Sequence, residues 1–137
     1  MNYLRLMLAG AGGTVAYFVF GFLVFGLLPT LRNEYAKYPA VYRSAEEMKG
    51  VMPAGMLAML VAILVMAAIY AMAYRGGAGG VEGARFGALI GLFAVCAFVI
   101  HNHVNLKIGL ALTFGQAIAY FVEWTIVGVV IGLIYQP

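Results

Sequence analysis

The chain is 137 residues long, 65% hydrophobic and only 9% charged, with a mean hydropathy of +0.99, so it has too few polar side chains to cover a water-soluble globule. Its formal charge of +3 is carried mostly by residues between the apolar runs, which fits Lys and Arg flanking a membrane rather than a nucleic-acid surface; no nucleic-acid partner is expected. The single cysteine, Cys96, excludes an intramolecular disulfide and any multi-cysteine metal site.

Crossing a ~30 Å hydrocarbon core takes about 20 apolar residues in a helix. Four runs meet that requirement: Leu6–Leu28, Met52–Tyr74, Ala84–Val104 and Ile108–Tyr135. They predict an all-α membrane protein, a single four-transmembrane-helix bundle with short loops over residues 1–137. The first run follows Arg5, but its ~23 residues exceed the roughly 7–15 of a secretory signal core, so it reads as a retained helix.

The polar stretch 30–50 carries Arg32, Glu34, Lys37, Arg43, Glu46, Glu47 and Lys49. Leu31, Tyr35, Tyr38 and Tyr42 recur there at helical spacing, which predicts an interfacial segment with its aromatic face towards the headgroups. Ser44-Ala45-Glu46-Glu47 has capping-box spacing and predicts a helix leading into the second span, with Pro53 bending it. Gly76-Gly77-Ala78-Gly79-Gly80 predicts a flexible turn after that span. Asn105-Leu106-Lys107 is so short a link that the last two spans must form an antiparallel hairpin. Arg32, Lys37, Arg43, Lys49 and Lys107 on one side outnumber Arg5, Arg75 and Arg85 on the other, which predicts both termini facing away from the cytoplasm.

Helices associate in lipid through small residues that let backbones approach. Gly83, Gly87 and Gly91 form such a row on the third span, and Gly128 and Gly132 form one on the fourth. The rows serve either packing within the bundle or association with a second copy or another membrane protein.

Glu123 is the only ionisable residue deep inside an apolar run. A charge at a helix centre costs roughly 2.5–3.5 kcal/mol on insertion scales, so it marks a functional candidate. Thr113, Gln116, Tyr120 and Glu123 follow steps of three, four and three and form one polar stripe. Tyr17, near the middle of the first span, is expected at the same depth, where it can donate a hydrogen bond to the carboxyl. The stripe is either a proton-titrating or cation-binding site or a protonated carboxyl that locks helices together.

His101 and His103 lie about 200° apart on a helix, so they do not share one metal and read as interfacial polar residues. Met52, Met56, Met59 and Met66 share a helical face; thioethers suit Cu(I), which makes copper handling a remote alternative to adaptable packing. The chain has no aspartate, hence no Ser/His/Asp set. No catalytic residue, metal site or cofactor is expected, and enzymatic function is not.

The aromatic, glycine-bearing first helix, the polar loop, the third helix opening Gly83-Ala84-Arg85-Phe86-Gly87 with Gly91 following, and the last helix with Gly128 and Gly132 together resemble a family of small bacterial four-helix membrane proteins classed as a domain of unknown function. The resemblance implies a bacterial inner-membrane location and a helical bundle, and brings no catalytic residues with it. The leading functional expectation is a non-enzymatic accessory component acting through helix association, as a homo-oligomer or with a membrane-protein partner in the bilayer. The alternative is a proton-coupled small-solute carrier or channel centred on Glu123.

Overall fold

The computed structural model describes residues 2–136. In chain order these build α1 (Tyr3–Gly21), which runs on through wider π turns at Phe22–Leu27, α2 (Pro29–Ala36) and α3 (Ala45–Ala73). Then come α4 (Gly79–Ala94), π turns at Val95–Ile100, α5 (His101–Asn105) and α6 (Leu110–Ile134). No strand occurs among the described residues. Four continuous helical stretches, Tyr3–Leu27, Ala45–Ala73, Gly79–Asn105 and Leu110–Ile134, are long and apolar enough to cross a membrane. The protein is an all-α integral membrane bundle of four spans.

Local chemistry sets the helix starts. Asn2 caps α1 by accepting the Arg5 N–H at 3.1 Å. Pro29 opens α2 at a position where its missing N–H costs nothing. Ser44 and Glu47 form the reciprocal capping box expected from their spacing, the Ser44 hydroxyl accepting from the Glu47 N–H at 3.3 Å and the Glu47 carboxylate from the Ser44 N–H at 2.8 Å. As a result α3 begins seven residues before the expected apolar span, and it stays helical through Pro53.

The third span also starts early. Gly79 and Gly80 belong to α4, and only Gly76, at φ 89°, takes the left-handed conformation. The expected five-residue flexible turn is therefore shorter, because close packing recruits Gly79 into the helix. A Cβ on Gly79 would overlap the carbonyl oxygen of Gly132. Gly83 meets Gly128 in the same way and Gly87 meets Trp124, while a Cβ on Gly91 would lie 3.0 Å from the Phe121 carbonyl oxygen. The two glycine rows thus face each other inside one chain and bring the α4 and α6 backbones together.

α6 is the central helix, packed on α4 and α1 and reached by α2 at one end; α3 lies mainly on α1. On the face that holds Asn2, Tyr135 and the 74–78 turn, the terminal face, Ala9, Ile63, Ala67, Val127 and Ile131 form a fully buried core. On the opposite loop face, Leu31, Ile108, Leu112 and Ala119 form a smaller cluster. Outward residues such as Leu4, Val15, Leu89, Phe114 and Ile118 stay exposed to lipid.

Candidate functional site

Between the two apolar clusters lies a polar layer on α6. Thr113, Gln116 and Glu123 are buried and Tyr120 is half-buried, so the expected stripe points inward. Thr113 and Gln116 each have hydrogen-bond partners. Thr113 Oγ1 lies 2.9 Å from His103 Nδ1 and 3.1 Å from the Gly109 carbonyl oxygen, an arrangement satisfied when His103 donates from Nδ1 and the hydroxyl donates to the carbonyl. The Gln116 amide donates to the Tyr35 hydroxyl oxygen at 2.6 Å and to that of Tyr42 at 3.3 Å. The Tyr120 ring packs 5.4 Å from that of Phe25.

The tyrosines beneath Gln116 come from the segment expected to face headgroups. Leu28 is extended and Pro29 begins α2 at once, so the chain turns back against the bundle. Gly115 makes room for this return, since a Cβ there would lie 2.8 Å from Leu31 Cδ2. The aromatic face consequently packs on the start of α6 instead of lipid, with Tyr35 and Tyr42 edge to face at 4.7 Å. Burial pushes the Tyr35 hydroxyl above the ordinary phenol range, helped by neighbouring Tyr120, so it remains a proton donor at physiological pH.

Tyr38 accepts the Gly109 N–H at 2.8 Å, and Gly109 is the N-cap of α6. Tyr38→Phe leaves that donor without its partner and is expected to lower stability by about 1 kcal/mol. Thermal denaturation in detergent checks this against exposed Tyr3→Phe; equal melting of the two variants contradicts it.

Glu123 is 1% exposed, and neither carboxyl oxygen has a hydrogen-bond partner. The expected hydrogen bond from Tyr17 is therefore absent. The Tyr17 ring instead lies tilted against that of Trp124, the residue after Glu123, at 5.4 Å. Gly21, one turn further along α1, accommodates the carboxyl: a Cβ there would come 3.1 Å from Glu123 Oε1. The π turns at Phe22–Leu27 begin immediately after Gly21. Those at Val95–Ile100 are bracketed by the Gly91–Phe121 approach and the His103–Thr113 contact. Both irregular stretches therefore border the polar layer, a common setting for such turns.

Other candidates do not converge. Met52 and Met56 are exposed, Met59 is half-buried and Met66 is buried in the terminal-face core, spread over about 21 Å of one helix. His101 is exposed, away from the His103–Thr113 contact. No group of three His, Cys, Asp or Glu side chains placed to hold a metal occurs among the described residues.

The fold and this layer define a four-span integral membrane protein with one unpaired carboxyl at mid-depth and a hydroxyl–amide row on its loop-face side. No family model, curated protein or solved structure matches the chain.

Proposed function

We propose that this protein is a small non-enzymatic carrier of the bacterial inner membrane, which moves a small solute coupled to protons taken up and released at Glu123. The observation that carries this reading is the buried carboxyl without a protein partner. A structural carboxyl stabilises a bundle through hydrogen bonds to its neighbours, and this one makes none. Tyr120, Gln116, Tyr35 and Tyr42 supply exchangeable protons and acceptors from its level towards the loop face. The inner-membrane placement is supported by the resemblance to small bacterial four-helix membrane proteins. An accessory role through helix association drew on the glycine rows, and these are occupied within the chain. Association with a second copy or another subunit therefore needs a different face.

Proteoliposomes loaded with a pH-sensitive dye test the reading. Under an imposed pH gradient, panels of small amines, amino acids, organic acids and sugars are supplied in turn. One class is expected to accelerate collapse of the gradient in wild-type vesicles and to leave Glu123→Gln vesicles unaffected. Equal responses in the two preparations, or none to any class in wild type, contradict it.

A further inference from the structure

Water reaches a buried carboxyl only through a layer that admits it, and the two layers flanking Glu123 differ. Towards the terminal face the next turns of α6 present Val127 and Ile131, which with Ala9, Ile63 and Ala67 make a fully buried apolar core. Towards the loop face α6 presents Gln116 and Thr113. Their partners are hydroxyl, carbonyl and imidazole groups, whose hydrogen bonds water replaces at small net cost. What covers this polar side is the chain segment 29–42, made of α2 and the turn after it.

That segment is held lightly. Leu31 is the one buried residue of α2, seated with Ile108, Leu112 and Ala119. The remaining ties are three hydrogen bonds to tyrosine hydroxyl oxygens, from the Gln116 amide to Tyr35 and Tyr42 and from the Gly109 N–H to Tyr38. Arg32, Asn33 and Lys37 are exposed. Few buried apolar contacts and water-replaceable hydrogen bonds are the marks of a segment that opens at low free energy. Both of its ends adjoin irregular backbone, the π turns at Phe22–Leu27 with extended Leu28 on one side and the turn at 37–44 on the other. The π turns follow Gly21, which meets the carboxyl, and carry Phe25, whose ring packs on both Tyr35 at 6.1 Å and Tyr120 at 5.4 Å. One continuous stretch of chain thus touches Glu123 at Gly21, covers Tyr120 with Phe25 and roofs Gln116 with Tyr35 and Tyr42.

We propose that residues 29–42 form a hinged strap whose displacement, drawing Phe25 off Tyr120, opens Glu123 to water from the loop face and from that face alone. The inference rests on Glu123 being the exchanging group of the carrier and assigns the side from which its proton comes and goes. Water admitted under the strap takes the carboxyl proton as hydronium, the electron pair of the O–H bond staying on the carboxylate, and the reverse transfer restores the acid.

Thiol labelling of full-length protein in mild detergent, in a Cys96→Ser background and with a charged, water-soluble methanethiosulfonate, tests the strap. Ala119→Cys, beneath Leu31, should be labelled slowly. Adding Tyr35→Phe and Tyr42→Phe, which removes both acceptors of the Gln116 amide, should speed that labelling about tenfold. Val127→Cys should stay unlabelled with or without them. A lock supplies the second arm: Leu31 Cγ lies 3.6 Å from a Cβ placed on Gly115, so Leu31→Cys with Gly115→Cys sets two sulfurs within reach of a disulfide. Proton exchange after a pH jump is followed with a pH-sensitive dye, as the part of the signal that Glu123→Gln lacks. The oxidised pair should lose its fast phase, and reductant should restore it. Equal labelling of Ala119→Cys with and without the tyrosine substitutions, labelling of Val127→Cys, or unslowed exchange in the oxidised pair overturns the strap. If the reduced pair shows no Glu123-dependent exchange at all, the carrier reading falls, and the labelling of Ala119→Cys and Val127→Cys decides the strap by itself.

Discussion

Gly83→Leu is expected to separate α4 from α6 and unfold the bundle. A Cβ at this position overlaps the Gly128 carbonyl oxygen and lies 3.0 Å from the Gly132 Cα. Both obstacles are backbone, so no side-chain rotation relieves them. Overpacking that side chains can absorb costs about 1–3 kcal/mol, and this substitution should exceed that range. Gly128→Leu meets the reciprocal obstacle, the Gly83 carbonyl oxygen and the Gly87 backbone, and should fail in the same way. Gly50→Leu is the matched control, because nothing lies within 4 Å of its Cβ position, and it should stay within about 0.5 kcal/mol of wild type. Size and thermal melting in detergent distinguish them. Wild-type melting of Gly83→Leu would contradict the close approach of the two helices.

The residues of this contact were legible before their partner was. Spacing of four puts glycines on one helix face, but it does not say what covers that face. Either rows that meet within one chain or rows that meet another chain produce the same pattern. Gly79 was hidden for a related reason: among five residues rich in glycine, composition signals a turn, and only the approach of Gly132 shows that the helix has already begun. The capping box at Ser44 was fully legible because both of its hydrogen bonds are local.

The site divides the same way. Hydropathy alone marked Glu123, and helical periodicity gave Gln116 and Tyr120 beside it. The stripe of Tyr35, Tyr38 and Tyr42 was also legible as a face, although it packs on α6 instead of the headgroups. The signal for that lay in Leu28-Pro29, which leaves no polar linker between the first span and α2 and so keeps α2 against the bundle. Gly21 and Trp124 carried no signal, since their relation to Tyr17 and the carboxyl arises only when α1 packs on α6. Depth brought Tyr17 to the level of Trp124, against which its ring packs, but depth does not fix the direction of a hydroxyl, and the expected hydrogen bond to Glu123 is not made.

Glu123→Leu is the second substitution with a large expected effect, and its sign separates function from architecture. Because neither carboxyl oxygen is paired, leucine forfeits no hydrogen bond and removes a buried polar group. The variant should be as stable as wild type or more so, by up to about 3 kcal/mol, while losing all proton exchange. A carboxyl that locked helices together would give the opposite result, with leucine lowering the melting temperature. Glu123→Gln keeps shape and polarity and should lose exchange alone.

The central claim is that residue 123 takes up and releases a proton. Acid–base difference titration of purified wild-type protein against Glu123→Gln in detergent counts that proton directly. The predicted result is one additional titrating proton per chain in the wild type; superimposable titration curves for the two proteins would contradict it.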